Sequence, residues 1–239
     1  MRGSGRPTSV RGPRWSQVEV HEKGLRFPVA SITFMSVALK LFIFDLDGTL
    51  VDSSVDISNA LNHAIRSYGI SQVSVQETIG LIGEGLTRLI QKVIEQKAPG
   101  LDLMILVKSF TEYYSDHVAD HTKSYPGTER VLKGLGGYKK AIVSNKTESL
   151  SVKVLQATEL MEYFDYVAGG DTFAEKKPSP MPVFDVLSRF DARPEETLLV
   201  GDSIYDRSGP SRGRDNGGRL VRLRGPLLLG EGRLSHREH

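Results

Sequence analysis

The sequence predicts an α/β protein in which a parallel sheet is buried on both faces and a helical segment is inserted near its start. Three observations carry this expectation. The run Leu41-Phe42-Ile43-Phe44, preceded by Val37, Ala38 and Leu39 with only Lys40 interrupting, is continuously apolar, as strands covered on both faces are. It ends at a pair of acids, Asp45 and Asp47, followed by Gly48-Thr49. Two later apolar runs also end in polar residues: Ala141-Ile142-Val143 leads into Ser144-Asn145, and Leu198-Leu199-Val200 leads into Gly201-Asp202-Ser203. Open α/β sheets bind ligands beyond the carboxyl ends of their strands, so function is expected at this edge.

Between the strands, apolar residues recur at helical spacing. Ile57, Leu61, Ala64, Ile65 and Tyr68 predict a first helix that Asp52 or Ser53 can cap and Gly69 closes. Similar patterns cover 86–94, 101–118, 131–135, 150–155 and 183–190. About a hundred residues separate Asp47 from Ser144, far more than the usual two to six of a βα loop. Three of the helical patterns fall in that gap, before Tyr125-Pro126-Gly127, which predicts an inserted helical domain over 53–124.

Each polar station carries more than one reading. A D-x-D-G loop presents paired carboxylates for phosphoryl chemistry, but Asp and Gly also make ordinary turns. Ser144 and Asn145 can hold anionic oxygens at a strand end or simply cap the next helix. Lys177, before Pro178, is a compact cation near the other stations or an exposed loop residue, and Lys176 beside it is the competing candidate.

The four stations, D-L-D-G-T-L-V-D at 45–52, V-S-N-K-T at 143–147, K-K-P-S-P at 176–180 and V-G-D-S-I-Y-D at 200–206, resemble the haloacid dehalogenase-like hydrolase superfamily. Their order and character are most similar to its phosphoglycolate phosphatase branch. The resemblance implies a Rossmann-like three-layer core built from 35–52 and 125–206, with a helical cap between. It implies that Asp45 is a nucleophile forming an aspartyl-phosphate and that Asp47 protonates the leaving oxygen and later deprotonates water. Lys177 would pair with the nucleophile and the transferring phosphoryl group. A divalent cation is needed because two acids beside a phosphate repel it; Mg²⁺ fits, held by the Asp45 side chain, the Asp47 backbone carbonyl and Asp202, with Asp206 orienting that shell. Gly48, Thr49, Ser144 and Asn145 are expected at the substrate, with Gly83 and Gly85 of the Gly80-to-Gly85 loop facing it from the cap. The expected substrate is phosphoglycolate or a similar small organic phosphate. A sugar-phosphate phosphatase, a phosphomutase and a non-catalytic remnant are the alternatives, and a receiver domain would lack the insertion.

The two ends differ from this middle. Residues 1–34 carry six Lys/Arg against two acids, and residues 207–239 carry eight arginines against three acids with no lysine, Phe, Tyr or Trp. The whole chain is +2, so the region between is acidic. After Asp206 the run Arg207-Ser208-Gly209-Pro210 has none of the Ala-rich helix that the family places there, and reads as a shifted frame. A genuine basic tail binding nucleic acid is the rival; without aromatic residues to stack on bases, no nucleic-acid partner is expected. Met35 lies a few residues before the first strand, so 1–34 reads as a non-native or disordered extension, with a transit peptide as the alternative that Glu19 and Glu22 oppose. Losing the family's last helix and strand would leave a sheet edge open, for which Val221 offers partial replacement.

The chain has no cysteine, which excludes disulfides and thiol catalysis. Of its six histidines only His117 and His121 share a helix face, and a surface or packing role is expected for them. No apolar run has the length of a signal core or a membrane span, so a cytoplasmic location is expected; the oligomeric alternatives, monomer or homodimer, stay open.

Overall fold

The computed structural model describes residues 38–202 and Asp206 in full, and the backbone of two further strands. Met35, Ser203 to Tyr205, the run from Arg207 to Arg214 and Leu227 to Leu229 lie outside the described residues. The strands are β1 (Arg14–Val20), β2 (Leu41–Phe44), β3 (Val51–Asp52), β4 (Lys123–Ser124), β5 (Lys139–Val143), β6 (Tyr166–Ala168), β7 (Thr197–Gly201) and β8 (Gly217–Leu223). Six of them form a sheet in the order β1-β8-β7-β2-β5-β6, with every neighbouring pair parallel. Two come from the ends that the sequence sets apart: β1 lies in the N-terminal extension, and β8, which includes Val221, lies in the arginine-rich tail and aligns Val221 with Val200.

The alternation of side chains along each strand builds two apolar layers. Phe42, Phe44 and Ile142 point to one face and pack with Leu61, Phe110, Val154 and Phe164. Leu41, Ile43, Ala141, Val143 and Leu199 point to the other and pack with Val183, Val186 and Leu187. Both faces are therefore dry, which is why these strands read as unbroken apolar runs. Leu41 and Ile43 are wholly inaccessible, and each such side chain contributes about 1.5–3 kcal/mol through burial.

The helices are α1 (Ser54–Ile65), α2 (Val75–Ile79), α3 (Leu86–Lys97), α4 (Leu103–Asp116), α5 (Thr128–Gly134), α6 (Glu148–Ala157) and α7 (Met181–Arg189). Asp52 Oδ1 accepts from the Ser54 amide at 3.1 Å, and Gly69 closes the following turn at φ +67°. The short α2 has no apolar period, but Ser74 and Glu77 form a capping box at its start. Helices α1 to α4 lie between β3 and β4, which pair antiparallel, Val51 with Ser124 and Asp52 with Lys123. The helical segment thus leaves and rejoins the rest of the chain at one place.

Asp56 on α1 fixes that junction. Its buried carboxylate accepts from the backbone amides and side chains of His121 and Thr122, at 2.7 to 3.1 Å. His121 is exposed and lies beyond the end of α4, which stops at Asp116, so it shares no helix face with His117, the C-cap residue, which pairs with Asp120 at 2.8 Å. Burial works to raise the Asp56 carboxyl, but these donors overcome it and hold it below the usual carboxylate range. A depressed carboxyl stabilises the fold above its unfolded value near pH 4, and the contribution is lost as pH falls through the lower folded value. Asp56→Ala is expected to cost about 3 kcal/mol in urea unfolding at pH 7, and the gap between variant and parent should narrow in acid.

Candidate active site

The strand order brings the polar stations together. Strand β2 lies between β5 and β7, and Phe44 is level with Ile142 and Val200. The loops after these three strands therefore start side by side. From β2 the chain builds outward on one side through β5 and β6, then returns to β7 on the other, and such a reversal opens a crevice between the diverging loops.

Asp45 stands at the head of that crevice, its amide donating to the Val200 carbonyl at 2.9 Å. Its Oδ1 accepts from the Leu46 amide at 2.8 Å and lies 2.9 Å from Lys177 Nζ. The same ammonium reaches Asp206 Oδ1 at 2.6 Å, and both Lys177 and Asp206 are buried. Carboxylate oxygens of Asp45, Asp202 and Asp206 all lie within 4.8 Å of one another. Burial pushes the Asp45 carboxyl up to about 7, with Lys177 pulling against it and Asp206 and Asp202 adding to it. Burial also raises Asp202. For Lys177, burial opposes the charge, yet Asp45 and Asp206 hold the ammonium above its ordinary value. Three carboxylates face one ammonium. The excess of negative oxygen suits a hard divalent cation, so the residues fit the expected metal.

The loop after β2 is shaped by close approaches. Gly48 has φ +84°, and a Cβ there would come within 2.6 Å of Asp202 Oδ2. Thr49 Oγ1 donates to Asp202 Oδ1 at 2.6 Å. These two residues, expected at the substrate, are placed against Asp202, because the turn folds back toward the end of β7. Gly201 plays a similar part, since a Cβ on it would collide with the Asp206 carboxylate.

A cavity of about 300 Å³ opens above, lined by Asp45, Asp47, Ser144 and Asn145 from the strand ends and by Gly83 and Gly85 from the helical segment. Helix α6 begins at Glu148 with Thr147 at its N-cap, so Ser144 and Asn145 are not caps. Asn145 Nδ2 donates to the Gly83 carbonyl at 2.8 Å and to the Lys177 carbonyl at 3.0 Å, while its buried Oδ1 has no partner among the described residues. Lys176 donates to the Glu84 carbonyl at 2.8 Å, so the two adjacent lysines divide their work: Lys177 goes to the carboxylates and Lys176 to the glycine loop. A second cavity, about 790 Å³, lies at the amino ends of β2 and β5. Lys40, Lys133 and Lys139 pair there with Glu196, Glu129 and Asp165, Lys140 donates to the Leu135 and Tyr138 carbonyls, and the carboxylate cluster is at the opposite end of the strands.

Lys146 and Tyr114 also line the smaller cavity and were not singled out in the sequence. Asp47 Oδ1 accepts from Ser53 Oγ at 2.5 Å and from Lys146 Nζ at 2.8 Å, and that ammonium also donates to the Tyr114 hydroxyl at 2.8 Å. Burial opposes the Lys146 charge, but Asp47 and Tyr114 raise it above its ordinary value. Burial raises the Tyr114 phenol too, keeping it protonated. Lys146 stands within the V-S-N-K-T station; Tyr114 on α4 carried no signal beyond helical spacing.

A doubly wound sheet with a D-x-D loop, a buried lysine and two further acids at its carboxyl edge defines a phosphoryl-handling hydrolase. Sequence comparison agrees: the profile of the haloacid dehalogenase-like hydrolases matches residues 42–212, and the chain belongs to that family. It is 39% identical over 170 residues to the phosphoglycolate phosphatase of Aquifex aeolicus (strain VF5), a match spanning 70% of this chain and 78% of that protein. The phosphoglycolate phosphatase of Nitrosospira multiformis is 34% identical over 174 residues, spanning 70% and 77%. Among solved structures, a predicted phosphoglycolate phosphatase from Haemophilus somnus 129pt superimposes with a TM-score of 0.69 at 29% identity, covering 72% of this chain and 81% of that one. No helix among the described residues is long and apolar enough to cross a membrane.

Two outcomes follow for the site. Gly48→Ala is expected to lower activity by more than about a hundredfold, since its Cβ has only the Asp202 carboxylate to displace and its φ is strained for alanine. The second concerns pH. A raised carboxyl favours the folded state most when protonated, so without metal the Asp45 contribution weakens as pH climbs from about 4 through about 7. A divalent cation such as Mg²⁺ would bind the ionised carboxylates, so at about a hundred times its Kd it is expected to add about 2.7 kcal/mol of stability at pH 8 and less at pH 5. Thermal melts with Mg²⁺ or EDTA at both pH values check this.

Proposed function

We propose that this chain is a Mg²⁺-dependent phosphate monoesterase that acts on 2-phosphoglycolate or a closely similar small organic phosphate through an aspartyl-phosphate. The observation that carries it is the pairing of Asp45 and Asp47 at one cavity, with different partners for each: Lys177 beside Asp45, Lys146 and Ser53 beside Asp47. Similarity to phosphoglycolate phosphatases points to the substrate.

In this reading both donors to Asp45 engage Oδ1, and Oδ2 supplies the lone pair that attacks phosphorus. The bond from phosphorus to the ester oxygen breaks as Asp47 delivers a proton to the departing alkoxide. Asp47 then takes a proton from a water that attacks the same phosphorus, releasing inorganic phosphate and restoring the Asp45 carboxylate. In this reading Lys177 and the Ser144 hydroxyl hold the phosphoryl oxygens. Asp45, Asp202 and the Asp47 carbonyl would hold Mg²⁺, with Asp206 steadying the group; when bound, the cation offsets the charge of acids and phosphate. Residues 53–124 act as the cap, excluding water and meeting the non-phosphate part of the substrate through the Gly83 and Gly85 loop.

Asp45→Asn is expected to lower release of inorganic phosphate from 2-phosphoglycolate by at least about 10³-fold while leaving the fold intact. Acid quenching of the wild-type reaction should trap phosphate as an acyl ester on Asp45. Turnover that persists in the variant, or that proceeds with no acyl phosphate, would refute the mechanism. Return of the phosphoryl group to a second hydroxyl, without free phosphate, would make the protein a mutase instead.

A further inference from the structure

We propose that Lys146 and Tyr114 form a cradle for a carboxylate carried by the substrate's leaving group, and so determine specificity for phosphorylated hydroxy acids over uncharged phosphate esters. The assignment rests on the phosphatase reading of the same cavity. It is carried by donors that the protein leaves unspent. An ammonium has three N–H donors, and Lys146 Nζ uses one on Asp47 Oδ1 and one on the Tyr114 hydroxyl. A phenol that accepts a hydrogen bond keeps its own O–H to give, and among the described residues that of Tyr114 has no acceptor. The two donor atoms are 2.8 Å apart, both side chains are largely buried, and both line the cavity.

Their position fits the leaving group rather than the phosphate. Lys177 and Asp45 mark the phosphoryl end, whereas Lys146 flanks Asp47, the residue assigned to the departing oxygen. A group one or two bonds beyond that oxygen meets Lys146 and Tyr114 next. Two adjacent donors, one of them charged, match the two oxygens of a carboxylate, and bonds to a charged donor are the stronger kind. The other lysine on the cavity wall, Lys176, already donates to the Glu84 carbonyl and is exposed. An uncharged hydroxymethyl group in the same place would satisfy only part of the pair and leave the buried ammonium without a counter-charge from the ligand.

The test compares kcat/KM for 2-phosphoglycolate with that for 2-hydroxyethyl phosphate, the same ester with its carboxylate replaced by a hydroxymethyl group. The wild-type protein should prefer 2-phosphoglycolate, and Lys146→Met should lower that preference by about tenfold or more. A general effect on Asp47 or on folding slows both esters alike; a preference that changes by less than about threefold in a folded variant overturns the proposal, as does a wild-type protein without the preference. If Lys146→Met does not fold, as judged by its thermal transition, Tyr114→Phe decides on the same terms, since it removes only the hydroxyl. A wild-type protein that hydrolyses neither ester refutes the phosphatase reading itself and this assignment with it, an outcome distinct from turnover without preference.

Discussion

One buried ammonium organises the carboxyl edge of this sheet. Lys177 touches Asp45 and Asp206, and Asp202 stands within the same cluster of oxygens. Like charges this close repel strongly in a dry environment, so the cluster persists only because the cation sits among them and further donors share the load. The Leu46 amide serves Asp45 and Thr49 serves Asp202. Through Lys177 the loop after β2, the segment after β7 and the loop before α7 are held to one another, although they are far apart in the chain. Everything above them, including the cavity and its lining, is positioned by that contact.

The parts of this arrangement that were legible in the sequence are those where local chemistry and the fold agree. Strands β2, β5 and β7 read as apolar runs because both faces of the sheet are covered, and the polar residues that end them stood out against that background. Strand β6 has only Tyr166, Val167 and Ala168, too short for a period to register. Helix α2 is too short for an apolar period, and its capping box, Ser74 with Glu77, is the local signal it carries. The positions of Gly48 and Thr49 against Asp202 could not be read, because they depend on how a turn folds back across 153 residues of sequence separation. The same holds for Lys146 and Tyr114, which are joined by a hydrogen bond between a strand-end loop and a helix.

The two end segments differ from the middle in composition and still take part in the sheet. Their arginine content and their departure from the family pattern set them apart in the sequence, yet each supplies backbone to the sheet, β1 pairing with β8 and β8 with β7. Hydrogen bonding in a ladder is made by the main chain and asks little of side-chain identity beyond the absence of proline, so a strand can form from text that carries no periodic signal.

The antiparallel pairing of Val51–Asp52 with Lys123–Ser124 has a consequence for descent. Because the helical block departs and returns through neighbouring strands, its length and composition are decoupled from the spacing of the acids beneath it. A lineage can lengthen, trim or exchange that block as a unit and keep Asp45, Lys177 and Asp202 in register. Variation in the block is thereby free of the constraint that fixes the carboxylates.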